Sequence, residues 1–471
     1  MKRCLTILCI ILTLVLCLPW GGIKVALAEE DAGYPGDLSS FGAVLLMDAD
    51  SGRVLVSHNE TAQIEPASTT KIMTCILALE SGKMNDEVTI SDKAVRAAGQ
   101  KLELVKGETL PLSALVNAMM MYSGNDAAVA IAEHVAGDVD TFVDMMNAKA
   151  QALGMNNTHF ANPSGLHDDE HLTTAADMAK LVQYAMKKPD FRDIVSQESF
   201  TLPRTDKRVE KVFRNTNFLL RKDKPDAYYA YATGVKTGDT AQAGKCLVAS
   251  ASKDGMNLIC LIFKDTSENG QKRWSEAKAL FEYGFDNYTT LEVQKLLDKA
   301  PPVRVQVENY SPADESDGLL TFEAPSSPGT LITVKKSTAQ SILESKDADA
   351  IEAVPFYDDE KLTAPILKGD MLGTVTYRCK ATGEELYTGA LIASRDVREA
   401  GSEPGASGGT AVSVMPAVNV EEISKHDDSI YYWLIVPGVL IALLIWRLVT
   451  EQRRKRKRFG KRRPYYSYRI K

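Results

Sequence analysis

The stretch Pro66-Ala67-Ser68-Thr69-Thr70-Lys71-Ile72-Met73-Thr74-Cys75-Ile76-Leu77-Ala78-Leu79 decides how this chain folds. Ile72, Ile76 and Leu79 recur at i, i+4 and i+7, so the spacing predicts an amphipathic helix opening at Pro66-Ala67-Ser68. Ser68 and Lys71 then stand one turn apart on one face. A serine hydroxyl is a weak nucleophile until a neighbouring base takes its proton, and Lys71 is within reach to do so. Lys71 must be neutral for that task, which requires burial or a nearby positive charge. Free N–H groups at the helix start can also stabilise an oxyanion. The pair alone is weak evidence. Ser-x-x-Lys recurs at Ser250/Lys253 and Ser275/Lys278, and a serine opening a helix is usually a cap.

Two further motifs follow in order. Ser123-Gly124-Asn125 interrupts two helical runs, 110–121 and 126–135, and reads as a loop that presents a hydroxyl into a cleft. Ser123 there can pass a proton between the base and a leaving amine. Asn125 can hold a substrate amide by donating and accepting. Lys236-Thr237-Gly238 falls in a strand-like run, 233–240. Gly238 lets a peptide approach that strand, Lys236 and Thr237 can bind its carboxylate, and Lys236 can depress the pKa of Lys71. Ser-x-Asn recurs at Ser57/Asn59 and Ser267/Asn269, whereas Lys-Thr-Gly occurs once. The ordered set carries the argument, because the decoys sit at strand ends or lack the other two motifs. His167-Asp168-Asp169-Glu170-His171 matches a zinc-protease spacing, but it follows Pro163-Ser164-Gly165 and precedes a helix cap. It reads as a loop, so no metal and no other cofactor are expected.

Outward from these motifs, 41–47 and 53–57 read as a hairpin, and 233–240, 245–252 and 257–264 as three successive strands with a turn at Asp254-Gly255. Residues 275–283 read as a helix, and Thr174-Ala175-Ala176-Asp177 as a capping box before another. The fold class is therefore α+β, with helices packed on an antiparallel sheet. Past residue 290 the pattern changes to short alternating strands, read as a small all-β domain, 291–396. A Gly-, Ser- and Pro-rich linker, 397–429, follows.

The ends locate the protein. Lys2 and Arg3, an apolar run and Ala26-Leu27-Ala28 make 1–28 an export signal, leaving 29–290 as the catalytic domain. Residues 430–446 carry no formal charge and are bordered by Tyr431, Tyr432, Trp433 and Trp446, which reads as a membrane helix, 430–449. Six basic residues at 453–458 then place the tail, 450–471, in the cytoplasm and the body outside, on a single-pass membrane protein. The net charge is −7 although both ends are basic, so the exported body is strongly acidic and nucleic acid is excluded as its partner. Of seven cysteines, Cys4, Cys9 and Cys17 lie in the signal. Cys75, Cys246, Cys260 and Cys379 are far apart with no C-x-x-C, and read as free buried thiols.

The three motifs together resemble the penicillin-binding and serine β-lactamase superfamily, and most of all the low-molecular-mass D-alanyl-D-alanine carboxypeptidases, peptidase family S11. Phe160-Ala161-Asn162-Pro163-Ser164-Gly165-Leu166, Asn215-Thr216-Asn217 and Ala364-Pro365-Ile366-Leu367-Lys368-Gly369-Asp370 extend the resemblance over roughly 35–396. It implies that Ser68 is acylated by the penultimate D-alanine of a peptidoglycan stem peptide, releasing terminal D-alanine before hydrolysis. It implies also that β-lactam antibiotics acylate the same serine. The oxyanion hole would use the backbone N–H of Ser68 and Asp239, and Arg273 would assist carboxylate recognition. Asp239 is acidic where the family usually has an uncharged residue or histidine, which would weaken binding of an anionic substrate. Two alternatives stand beside this: a β-lactamase, although no Glu-x-x-Leu-Asn segment is present, and a catalytically silent wall-binding protein.

Overall fold

The computed structural model describes residues 33–322, 329–345, 350–358 and 361–401. The expected signal, membrane helix, cytoplasmic tail and most of the linker lie outside them. Among the described residues no helix is long and apolar enough to cross a membrane.

Strands β1 (Ala43–Asp48), β2 (Val54–His58), β3 (Ala232–Thr240), β4 (Gly244–Lys253) and β5 (Met256–Asp265) form one sheet in the order β2-β1-β5-β4-β3. Every neighbouring pair is antiparallel. The β4–β5 turn is the expected Asp254-Gly255, with φ of +52° and +83°, as a two-residue hairpin of this twist requires. On one face lie helices α1 (Lys71–Glu80), α2 (Leu112–Tyr122), α3 (Asn125–Ala136), α4 (Val139–Ala152), α5 (Ala175–Met186) and α6 (Pro189–Val195). The other face is covered by α7 (Lys272–Asn287). Leu45, Met47, Ile259 and Leu261 point into the first layer, while Leu46, Cys260 and Ile262 meet Trp274, Ala277, Leu280 and Phe281 of α7. Burial on both faces is why β1 and β5 read as unbroken apolar runs rather than alternating ones. The capping box of α5 is half made. Thr174 accepts from the Asp177 N–H at 3.1 Å, but the Asp177 carboxylate turns to Asn157 N and Thr158 Oγ1 instead.

Beyond α7 the chain enters a second set of elements. β6 (Tyr288–Glu292) pairs with β7 (Leu331–Lys335), and β8 (Ile351–Tyr357), β9 (Met371–Cys379) and β10 (Glu385–Ile392) form an antiparallel sheet in that order. Three expectations need correction here. The boundary at 290/291 falls inside β6, so the change of region comes earlier than the composition suggested. The region is not all-β, because α8 (Lys336–Glu344) buries Thr338, Ala339 and Ile342 at helical spacing. The linker does not begin at 397: Val397 is buried and bridges Ile366, and the Ala400 N–H donates to Asn309 O at 2.9 Å. All four cysteines among the described residues are free and buried.

Candidate active site

The site gathers where the head of α1 meets β3 and the α2–α3 junction. Ser68 lies in a short 3-10 turn, Ala67–Thr70, that runs into α1. Two close approaches fix this turn. Gly238 on β3 passes so near that a Cβ there would sit 3.0 Å from Pro66 O and 3.1 Å from Ala67 Cβ. Gly165, at φ +77°, passes beneath it, and a Cβ would meet Ala67 O at 1.8 Å. Gly238 therefore serves backbone packing against the nucleophile's own turn, a need that the sequence reading assigned to an incoming peptide. Ala67 itself has φ +46°, a conformation a β-carbon disfavours, immediately before Ser68.

Lys71 is fully buried. Its Nζ lies 3.0 Å from Ser68 Oγ, 2.7 Å from Asn125 Oδ1 and 2.6 Å from the Ser164 carbonyl. The last two groups can only accept. A neutral amine has two N–H groups and one lone pair. With both N–H groups spent on carbonyls, the lone pair is left facing the Ser68 hydroxyl. Burial, with the Lys236 charge second, drives the Lys71 pKa well below a free lysine's, and Asp126 opposes the shift. In this arrangement the amine is placed to take the proton of the Ser68 hydroxyl.

Lys236 is buried on β3, donates to Thr237 O at 2.9 Å and is brought down to about 7 by burial. The Thr237 hydroxyl bonds Thr216 Oγ1 at 2.7 Å, and Asn217 Nδ2 holds Gly234 O at 2.7 Å, so the 215–217 segment clamps β3. Ser123 ends α2 in the left-handed region, φ +67°, and is mostly buried. Asn125 is not a loop residue but the first of α3. Its Oδ1 goes to Lys71 and its Nδ2 to Ala98 O at 2.7 Å, which leaves one N–H for a substrate. The expected acceptor role toward a substrate amide is thus taken up by the base.

A cleft of about 370 Å³ opens above these groups, lined by Ser68, Ser123, Asn125, Thr237, Gly238, Asp239 and Arg273 among others. Lys71 and Lys236 lie beneath that lining. Arg273, at the head of α7, stacks on Trp274 at 4.3 Å and donates to Gly270 O. Burial pulls its guanidinium below the ordinary value, against the carboxylates of Asp265 and Asp239. Asp239 pairs with Lys245 across the β3–β4 register, so its negative charge is matched inside the cleft. Lys245 and Phe218 also line the cleft, and the sequence reading missed both. Lys245 was findable, since the expected hairpin sets it opposite Asp239. Phe218 stacks on Trp274, a contact no local pattern announces.

The zinc-like spacing has another use. His171 is buried; its Nδ1 accepts the Ala161 N–H at 3.0 Å and its Nε2 meets Thr70 Oγ1 at 2.8 Å. The Thr70 hydroxyl donates to Ala67 O at 2.8 Å, so His171 supplies the Nε2–H and braces the nucleophile's turn in its neutral form. Burial holds its pKa down to about 4.

Fold and site together define a serine hydrolase of the penicillin-binding and β-lactamase type. Residues 30–267 match the D-alanyl-D-alanine carboxypeptidases, peptidase family S11, and the chain belongs to that family. It is 32% identical over 409 residues to D-alanyl-D-alanine carboxypeptidase DacF of Bacillus subtilis, covering 85% of this chain and 96% of the relative. It is 30% identical to DacA of Escherichia coli, covering 75% and 83%. Penicillin binding protein 5 from Haemophilus influenzae superposes with a TM-score of 0.61 at 29% identity, covering 78% of this chain and 99% of that one.

Proposed function

We propose that the protein removes the terminal D-alanine from peptidoglycan stem pentapeptides through an acyl-enzyme on Ser68. The observation that carries this is the buried Lys71 amine with both its N–H groups committed to carbonyls and Ser68 Oγ at 3.0 Å. Lys71 accepts the serine proton as Oγ attacks the carbonyl of the penultimate D-alanine. Backbone N–H groups of Ser68 and Asp239 receive the oxyanion. Ser123 relays the proton to the leaving amine, and D-alanine departs. Water then attacks the ester, the proton passes back, and the shortened peptide leaves. Thr237, Lys236 and Arg273 serve the terminal carboxylate, and the remaining Asn125 N–H serves the substrate amide. β-Lactams acylate the same serine. No cofactor enters the scheme.

A silent wall-binding role finds no support in a site whose nucleophile and base are already in hydrogen-bonding contact. Incubation with a pentapeptide ending in D-Ala-D-Ala tests the reading. Free D-alanine should appear with the wild type and not with Ser68→Ala. Release by both, or by neither, overturns it.

We infer also that the chain from residue 29 to the end of α7 is a catalytic domain and the region from β6 to Ala400 a β-rich domain, held outside the cell by a membrane helix at 430–449 with a basic cytoplasmic tail. The uncharged 430–446 run and the basic cluster after it support this. Protease added to intact cells should digest the body and spare the tail; a body protected until lysis would refute it.

A further inference from the structure

Asp126 directly follows the Ser123-Gly124-Asn125 motif and is a fully buried carboxylate that the scheme above does not use. Among the described residues its partners are backbone N–H groups: Leu102 at 2.9 Å, Leu104 at 3.1 Å and Ala127 at 2.9 Å. The segment 98–104 is therefore stitched to the head of α3 from both sides. Its carbonyls hold Asn125, with the Asn125 N–H on Gln100 O at 2.7 Å and Nδ2 on Ala98 O at 2.7 Å. Its N–H groups are held in turn by Asp126. Leu102 also packs so tightly on Gly124 that a Cβ there would meet its Cγ at 2.5 Å, and Arg208 holds the Leu102 carbonyl at 3.1 Å. Because Nδ2 is spent on Ala98, the Asn125 carbonyl oxygen is the atom turned to Lys71.

We propose that Asp126 is a positioning residue, which fixes segment 98–104 so that Asn125 presents its oxygen to Lys71, and which sets the charge around that base. The charged or titratable groups that face Lys71 are Lys236 from β3, Asp126 from α3 and His171 from the loop before α5. His171 is neutral in its two hydrogen bonds, so the balance lies between one cation and one anion. Asp126 stabilises the protonated amine, so at a given pH less of Lys71 is in the free-base form than Lys236 alone would leave. What it contributes in exchange is geometry. The inference rests on the serine-acylation reading, and the wild-type control separates the two.

Stopped-flow acylation by a chromogenic β-lactam, followed from pH 4 to 9, tests it in the full-length protein. Wild type that is not acylated would sink the acylation reading itself. In Asp126→Asn, Oδ1 keeps two of its N–H donors while the new amide faces Leu104 N, and the charge is gone. The expected result is a rate about tenfold lower at the optimum, with the acid limb moved to lower pH. Asp126→Glu restores the limb but not the full rate. Arg208→Met loosens Leu102 and keeps the Asp126 charge, so it lowers the rate with the limb unmoved; it also serves if the Asp126 variants do not fold. An acid limb in Asp126→Asn coincident with wild type, or an Arg208→Met variant acylated at the wild-type rate, overturns the proposal.

Discussion

The two regions of the described chain treat charge differently. In the sheet-and-helix body, up to the end of α7, Asp48, Lys71, Glu108, Asp126, Asp177, Lys236 and Asp265 are all buried. In the strands and helix that follow, the buried polar residues among those described are Ser311, Thr333 and Thr338, none of them ionisable. Exposed apolar side chains do not separate the regions: Phe356 is 71% exposed in the second, and Val209 is 74% exposed in the first. Taking an ionisable group out of water costs several kcal/mol unless it is paired or neutralised. The second region keeps its little-exposed carboxylates Asp314 and Glu384 in ion pairs with Arg395 and Arg53. The body buries Lys71, Asp126 and Lys236 on hydrogen-bond partners instead, and that difference marks where the chemistry lies. The buried charges also divide by role. Lys71 and Lys236 have their pKa values driven down, while Asp126 and Asp177 are met by backbone N–H groups.

The comparison breaks most sharply at the base. Lys71→Ala should slow acylation by at least about 10⁴-fold, because nucleophile and base act as a unit. A rate within tenfold of wild type, measured by stopped flow, would mean another group takes the Ser68 proton. Next comes the titration of Lys236. Its pKa of about 7 means that the cation we propose for the substrate carboxylate is lost as pH rises through that value. KM for a D-Ala-D-Ala peptide should then rise by about tenfold per pH unit on the alkaline side, and Lys236→Arg should move that limb upward. A KM flat from pH 6 to 9 would place the carboxylate elsewhere.

Stability supplies the smaller effects. His171 has a folded-state pKa lowered from 6.5 to about 4, so the unfolded chain binds its proton more readily. Its contribution is complete above pH 6.5 and is lost as pH falls toward 4, by about 3 kcal/mol. His171→Gln should flatten that acid loss in thermal melts, and an unchanged slope would place the loss in other groups. Gly165→Ala puts a Cβ 1.8 Å from Ala67 O and should destabilise by about 3 kcal/mol in urea unfolding. In the second region, Glu384→Gln removes the negative charge from the 2.5 Å contact with Arg53 that joins the two regions. It should cost about 1 kcal/mol or less and leave acylation unchanged. A loss of acylation there would show that the second region reaches into the site.

β1 and β5 were legible because they are apolar almost throughout, and the turns of the sheet carry Gly or Asp-Gly; β3, Ala-Thr-Gly-Val-Lys-Thr-Gly-Asp-Thr, has neither an alternating nor an apolar pattern. Ser68 and Lys71 were legible because a one-turn spacing is a local rule, and Lys236 because Lys-Thr-Gly occurs once. The burial of Asp126 was not, since an acidic residue in the first turn of a helix ordinarily faces solvent. The use of the Asn125 oxygen by Lys71 was hidden for a related reason. It depends on Ala98 and Ser164, brought together only by the fold. α8 escaped because its apolar residues are few and its neighbours are strands. Val397 was read as linker because the Gly- and Ser-rich run starts two residues later.

Intact-protein mass spectrometry after brief exposure to benzylpenicillin tests the central claim most directly. The account predicts one acyl adduct on the wild type, mapped to the peptide that carries Ser68, and none on Ser68→Ala. An adduct that persists in Ser68→Ala, or a wild type that gains no mass, would contradict it.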